Sequence, residues 1–540
     1  MSTAVLADPG AAEPGRSGPG SAGAGRRAAR RARGMTARAG ASDRLLGWLG
    51  PLVVALLAGV LRFWQLGRPH QLVFDETYYV KQAYTLLQVG YELRWPEGAD
   101  ASFTSGTPDV YSSGADYPVH PPLGKWMIAV GEALFGVDSS VGWRFSAAVA
   151  GTLSVLLLAR IARRVLGSTL LGCTAGLLLA VDGLHLVMSR TGILDIFLSL
   201  WVLAAFGCLV VDRDAARERL SALAARSPGG AASWGPLGPG LGLRPWRVAA
   251  ALCLGAACGV KWSGLYFVAA FGLMTVLWDV GARRRAGVRW WAGALVRDGV
   301  PAALTVLPLV VGVYLATWAG WFASSSAHLR RWAVENPGAG VGWLPAPLRS
   351  LWKYHQDMWA FHTGLTTPHD YMSHPWSWLV QGRPTSFFYE APARGVDGCA
   401  VDACSKAITS LGNPVVWWAG ALALPVLAFC WALRRDWRAG AALAGLAAGW
   451  LPWFQYSERT IFTFYAVVYV PFTVLGLTYC LGLVLGPPDA DRRRRAVGAA
   501  CAGAVVVGAV VAAAFFWPIW TAQTIPYEAW QARMWLPSWV

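Results

Sequence analysis

Eleven apolar windows divide this chain, and the basic clusters between them fall in alternate gaps. A segment crossing about 30 Å of hydrocarbon needs roughly 20 residues. Windows near that length run at about 47–66, 143–160, 168–188, 193–211, 247–260, 263–280, 300–322, 413–433, 439–455, 460–484 and 496–519. The fifth is short, and the "GVKWSG" that follows it reads as a break at the membrane surface. Basic clusters occur in the N-terminal arm, in "RIARR" at 160–164, in the 212–247 loop, in "RRR" at 283–285, in "RRDWR" at 434–438 and in "RRRR" at 492–495. Loops rich in Lys and Arg stay in the cytoplasm. Eleven crossings that start inside put every one of these clusters inside and the C-terminus outside. The pattern predicts an all-α, multi-pass protein of the cell membrane.

Composition supports this. Only 14% of the 540 residues are charged and 55% are hydrophobic, whereas a soluble domain carries about 25% charged residues. The net charge of +16 would suggest nucleic acid in a soluble chain. Here the arginines lie in short runs between apolar windows, so a nucleic-acid partner is not expected. The sequence contains no evident repeat and no Walker-type phosphate loop.

Residues 1–43 are rich in Gly, Ala, Arg, Pro and Ser and are expected to form a disordered, basic cytoplasmic arm. Met35 is an alternative start. The apolar run that follows has no convincing cleavage site and reads as a retained first helix. Residues 44–520 are then the membrane domain and 521–540 an outer tail. Two long outer segments lie at about 67–142 and 323–412.

In the first, Val80, Ala83, Tyr84 and Leu87 recur at helical spacing opposite Lys81, Gln82, Thr85 and Gln88, which predicts an interfacial helix. Residues 123–135 predict a second. The other outer segment carries Cys399 and Cys404 in "CAVDAC". A disulfide suits an oxidising compartment, and two free loop cysteines are the alternative. The other seven cysteines lie in or beside apolar segments.

Residues able to do chemistry gather at the outer face. Asp75 and Glu76 stand together in "LVFDETYYVKQAY". An N-cap accounts for one acid, not for two in succession. His120 lies in "YPVHPPLGKW", where it either contacts a substrate or caps a turn. Arg144 opens the second window at the outer surface, where the positive-inside rule gives no reason for it. Asp182, His185, Arg190 and Asp195 surround a short outer turn, and a purely structural Arg190–Asp195 pair is one reading of them. Lys261 stands at the helix break and Arg459, beside Glu458, between two late windows. For each cation, snorkelling of the long side chain is the structural alternative.

"FDETYY", "HPPLGKW", "WRFSAAVAGTL", "DGLHLVMSRTGILDIFL", "GVKWSGLY" and "PHDYMSHPWSWL…GRPTSFFY" together resemble the protein O-mannosyltransferases, most closely the actinobacterial type. The resemblance spans roughly residues 47–480 and implies a GT-C glycosyltransferase fold. It implies transfer of mannose from a polyprenyl phosphate to Ser or Thr of proteins emerging from the Sec translocon, on the outer face. Eukaryotic relatives carry a MIR domain in the second outer loop, which these 90 or so residues lack.

By resemblance, Asp75 is the catalytic base and Glu76 its partner, while Arg144 and Lys261 hold the donor phosphate, with Arg459 a further candidate cation. His120, Lys125, Arg190 and Asp195 are expected to shape the site. No metal ligand set is identified. A divalent cation is left open as a cofactor, because some related GT-C enzymes use one. One base suffices in this chemistry, since the leaving group departs as an anionic phosphate monoester. Two rivals stand beside this reading. One is a GT-C transferase with a lipid or cell-wall glycan acceptor. The other is a lipid-linked sugar transporter, which would place charges along a path through the bilayer.

Overall fold

The computed structural model describes residues 45–487 and 489–540. The expected N-terminal arm and Met35 lie outside the described residues. Counting helices of six residues or more, the chain runs α1 (Leu45–Phe63), α2 (Glu76–Val89), α3 (Ala99–Thr104), α4 (Leu123–Phe135), α5 (Ser140–Leu166), α6 (Thr169–Ala180), α7 (Gly183–Met188) and α8 (Asp195–Arg226). Then follow α9 (Pro245–Val260), α10 (Gly264–Arg285), α11 (Val300–Thr317), α12 (Ala346–Gly364), α13 (Pro414–Ala432), α14 (Trp437–Trp450), α15 (Val470–Leu485) and α16 (Arg492–Trp520).

Every one of the eleven apolar windows coincides with a helix. Among the described residues, seven helices are long and apolar enough to cross a membrane by themselves. The windows at α6, α9, α14 and α15 form helices of only 12, 16, 14 and 16 residues. The two expected interfacial helices are α2 and α4.

A polar turn stops the first of the short windows. α6 ends at Ala180, and Asp182 then caps α7 by accepting the His185 amide at 2.9 Å. The same carboxylate accepts the Asn413 amide at 3.0 Å and Trp417 Nε1 at 2.8 Å. Arg62, near the end of α1, reaches His185 Nδ1 at 2.8 Å and Ser189 Oγ at 3.3 Å. Gly151 in α5 lets this turn approach, since a Cβ there would lie 2.0 Å from Ser189 Oγ. Arg190 does not pair with Asp195. Its guanidinium donates to the carbonyls of Leu61, Arg62, Trp64 and Gln65 at 2.7–3.3 Å. It thereby satisfies carbonyls that the end of α1 leaves without intrahelical partners.

The 160–164, 212–247, 283–285 and 434–438 clusters contact one another. Arg164 pairs with Asp214 at 2.8 Å, and Arg438 Nε donates to Val165 O at 2.9 Å. Arg213 stacks on Trp437 at 3.3 Å, and Arg283 reaches Leu237 O at 2.8 Å. The outer segments meet one another elsewhere. Phe74 stacks on Phe387 at 4.7 Å, Gln71 Nε2 donates to Glu390 Oε1 at 3.1 Å, and Tyr354 donates to Pro118 O at 2.9 Å. α5 runs from the first outer segment to the 160–164 cluster, and its 27 residues span about 40 Å at 1.5 Å per residue.

The fold is predominantly helical, as expected. Beside the helices, β1 (Ser386–Glu390), β2 (Cys404–Thr409) and β3 (Thr524–Pro526) form a small antiparallel sheet in that order. β3 lies within the C-terminal segment 521–540. β3 pairs with β2, and Arg383 Nη1 holds the carbonyls of Ser538 and Val540, each at 2.7 Å. Backbone groups near a membrane surface are satisfied best by pairing with one another, and here the C-terminal segment supplies the missing edge. Cys399 and Cys404 are joined by a disulfide beside this sheet.

The arrangement predicts a labelling pattern. Cysteines introduced at Ser105 and Gly395 should react with a membrane-impermeant thiol reagent from the same side. One at Gly230 should react only from the other. Labelling of all three from one side would break the topology.

Candidate active site

The site is built where the first outer segment turns into α2. Phe74 adopts φ +50°, a conformation uncommon outside glycine and retained only where the surroundings enforce it. An aromatic cluster does so. Phe387 lies parallel to the Phe74 ring, while Phe462 and Phe464 meet it edge-on at 6.0 and 5.5 Å. The turn sends the next two side chains to different fates. Asp75 stands at the N-cap position of α2, yet its carboxylate makes no capping hydrogen bond. The cap reading therefore does not account for it.

Glu76 is fully buried. Arg144 grips it through two bonds of 2.8 Å, from Nε to Oε1 and from Nη2 to Oε2. The amides of Gly192 and Val73 complete the two oxygens at 2.7 and 3.0 Å. Arg144 is itself fully buried. Its other N–H groups donate to the carbonyls of Leu66, Pro69 and Gln71 at 2.9–3.3 Å. A guanidinium has five N–H groups, so none is left for a phosphate. Glu76 and Arg144 thus tie α2, α5, the 66–73 loop and the turn before α8 together.

Lys125 has a similar place. It is buried, pairs with Glu92 at 2.5 Å and donates to His120 O at 3.2 Å. Arg190 holds the end of α1. His120, Asp195, Lys261 and Arg459 line one cavity, and none of Glu76, Arg144, Lys125 and Arg190 does.

That cavity measures about 350 Å³ and has aromatic walls that include Trp262, Trp359 and Trp453. Lys261 ends α9 in an extended conformation, so the helix break delivers its ammonium to the cavity. There it pairs with Asp195, the first residue of α8, at 2.7 Å and lies 5.3 Å from the Tyr465 ring. Arg459 is different. Among the described residues no carboxylate stands within ion-pair distance of it, and its buried Nε has no hydrogen-bond partner. Its Nη2 contacts Nδ1 of His362 at 3.2 Å. His362 stacks on His120 with ring centres 4.9 Å apart. Sequence reasoning passed over His362. The one signal for it was a histidine near the end of an amphipathic segment in the second outer loop.

Electrostatics sets the protonation states. Burial pushes the Asp75 carboxyl up to about 6. Lys261 and the Tyr79 hydroxyl oppose the rise, and Asp195 adds to it. Burial also pushes His120 well below its usual range, with Lys261 and His362 adding to the effect. His362 is lowered to about 4 by burial and Arg459. Both imidazoles are therefore neutral near pH 7. Among the described residues, no three His, Cys, Asp or Glu side chains converge as a ligand set, and Asp195 is already committed to Lys261.

Comparison with known proteins agrees with this architecture. A model described as "Dolichyl-phosphate-mannose-protein mannosyltransferase" matches residues 119–226, and one for the "C-terminal four TMM region of protein-O-mannosyltransferase" matches 347–539. The chain is 40% identical over 514 residues to the polyprenol-phosphate-mannose–protein mannosyltransferase of Mycobacterium tuberculosis (strain CDC 1551 / Oshkosh), covering 93% of each. The chain belongs to the protein O-mannosyltransferase family. The enzyme of the same name from Corynebacterium glutamicum is 34% identical over 509 residues, which cover 90% of this chain and 92% of that one. The Saccharomyces cerevisiae Pmt1–Pmt2 complex bound to the sugar donor superposes with a TM-score of 0.67 at 16% identity. The match covers 92% of this chain and 93% of that one. The fold is the GT-C glycosyltransferase fold.

Removing one partner of a buried ion pair typically costs about 3–5 kcal/mol. Glu76→Ala and Arg144→Ala are each expected to lower the unfolding midpoint in detergent sharply, and the double variant by less than the sum. Near-normal stability with selectively weakened donor use would return Arg144 to the phosphate.

Proposed function

We propose that this chain is a polyprenyl-phosphate-mannose–protein mannosyltransferase. It transfers mannose to Ser or Thr hydroxyls of secreted or membrane proteins by a single inverting displacement. The observation that carries the reading is the pairing of two things. One is a carboxylate, Asp75, held free of any capping role. The other is a cavity whose cations, Lys261 and Arg459, face the same space. The names of relatives that align over nearly the whole chain support the same substrate class.

In this mechanism the acceptor oxygen attacks the anomeric carbon as the bond from that carbon to the phosphate oxygen breaks. Asp75 takes the hydroxyl proton, as a general base must to make a weak nucleophile competent. The prenyl phosphate departs as an anion and needs no proton. Arg459, whose charge no carboxylate cancels, and Lys261, shared with Asp195, stabilise the charge that grows on it. A β-linked donor then yields an α-mannoside. Glu76, Arg144, Arg190 and Lys125 hold the frame and do not contact substrate. No step is assigned to a metal. The acidic turn, the cavity and the two outer segments face outward across the cell membrane, where acceptors emerge from the translocon. This sidedness follows from the arginine distribution.

Asp75→Asn keeps size and capping ability but loses the proton acceptor. It should insert normally, bind donor and lose about 10²–10⁴-fold in transfer rate to a Ser/Thr peptide, the usual range for a general base. Near-normal turnover would end the mechanism. A base must be unprotonated to act, so in the wild type the rate should fall as pH drops through about 6. A profile flat from about pH 5 to about pH 8 would point to a different base.

A further inference from the structure

The two cavity cations are held in opposite ways. Lys261 is fixed by a carboxylate, which positions the ammonium but offsets its charge. Arg459 is held by an imidazole. The hydrogen-bond roles of that imidazole are determined by its partners. Nε2 of His362 lies 2.6 Å from the carbonyl oxygen of Val119. A carbonyl can only accept, so Nε2 carries the proton. In the neutral ring Nδ1 is then an acceptor, and it faces an Arg459 N–H at 3.2 Å. The result is a directed line, from Arg459 through His362 to the backbone beside His120. Stacking on His120 at 4.9 Å and contact with Trp262 at 6.2 Å fix the plane of the ring.

We infer that His362 is a positioning residue for the donor phosphate. It orients the Arg459 guanidinium through Nδ1 while leaving its positive charge uncancelled. This inference rests on the proposed role of Arg459 and deepens it. A carboxylate in the place of His362 would orient Arg459 equally well but would compete with the phosphate for its charge. An aliphatic side chain would leave the guanidinium free to swing toward solvent. A neutral imidazole does neither. The line also links three separate parts of the chain. Val119 belongs to the first outer segment, His362 to α12 and Arg459 to the irregular stretch between α14 and α15. The phosphate site is thus assembled only when both outer segments are docked on the bundle.

The two ring nitrogens can be tested separately. In His362→Asn the side-chain oxygen can take the place of Nδ1 and still accept from Arg459. In His362→Gln the amide reaches the place of Nε2 and can donate to Val119 O, but the acceptor toward Arg459 is lost. His362→Phe keeps the stack and loses both. The full-length purified chain is assayed with polyprenyl-phosphate mannose and a Ser/Thr peptide. Inhibition by sugar-free prenyl phosphate and the unfolding midpoint are measured alongside.

The expected result is a donor KM raised about tenfold or more in His362→Gln and His362→Phe, with a matching loss of prenyl-phosphate inhibition, since hydrogen bonds to charged groups are worth at least that factor. His362→Asn should stay within about threefold of wild type, and kcat should change less than KM in all three. Were the histidine only a packing element, the unfolding midpoint would follow the defect, and the Asn and Gln variants would not separate. A wild-type KM in His362→Gln, or a defect in His362→Asn equal to that in His362→Phe, overturns the inference. Arg459→Ala separates the two levels. If it leaves donor KM and prenyl-phosphate inhibition unchanged, the phosphate role of Arg459 fails, and that of His362 with it. If it raises both constants while the Gln and Phe variants do not, only the positioning role of His362 falls.

Discussion

The bidentate pair between Glu76 and Arg144 is the contact on which the site depends. Both side chains are buried, and every hydrogen-bonding position of both is occupied. A buried ion pair is weak evidence for net stability, because desolvation offsets much of the attraction. Its geometric consequence is firmer. A fork-to-fork contact allows one relative orientation, and here it fixes α2 against α5 and the turn before α8. Asp75 is the residue immediately before Glu76. Wherever Glu76 is locked, the Asp75 carboxylate is directed, and the left-handed Phe74 closes off the alternatives. Two adjacent acids beside a membrane therefore have separate tasks, one as an anchor and one as the group it positions.

The same division runs through the cations. Arg144 is saturated by carbonyls and a carboxylate, Arg190 donates to four carbonyls, and Lys125 pairs with Glu92 and the His120 carbonyl. Lys261 is half committed, through Asp195. Arg459 has only a neutral imidazole for a partner. Near an interface, where the dielectric is low, an uncancelled charge attracts an anion far more strongly than a paired one does. Ranking the cations by what already neutralises them yields a site with one strong anion-binding group and one moderated group. That is a reasonable balance for a phosphate that must bind as a diester and leave as a monoester carrying more charge.

Much of the fold was legible in the sequence, because hydrophobic windows and arginine clusters are local signals. Each apolar window contains a helix, and His120, Lys261 and Arg459 line one cavity, with Asp75 near enough for Lys261 and Asp195 to act on its carboxyl. The roles of Arg144 and Arg190 were not legible. Both were assigned donor or site roles by family resemblance, with a structural reading kept beside each. Their partners are a carboxylate 68 residues away for Arg144 and backbone carbonyls more than 120 residues away for Arg190, and no spacing rule encodes those distances. The sheet escaped for the same reason. β1 and β2 lie in a loop without clear alternation, and β3 is three residues long and pairs only across the fold. His362 escaped because a lone histidine on a surface helix looks like any other, and only its two bonding partners distinguish it.

The residues to which the chemistry is assigned lie where helices stop. Asp75 precedes α2, Asp195 opens α8, Lys261 ends α9, and Arg459 lies in the irregular chain between α14 and α15. Within a spanning helix, a charged side chain faces hydrocarbon or a neighbouring helix, and its backbone is closed off by intrahelical bonds. Irregular backbone at membrane depth is tolerated where it is buried in protein or lines a cavity. A chain that must bring a lipid-linked phosphate and a polypeptide hydroxyl together at the membrane surface therefore has reason to interrupt its helices there. Three of the four windows that fold into helices too short to span alone (α6, α9 and α15) end or begin close to such turns. Lengthening α9 by making Lys261 helical would turn its side chain away from Asp195. The cavity would then lose the pairing that moderates one of its two cations, and the helix would gain length only by sacrificing the site.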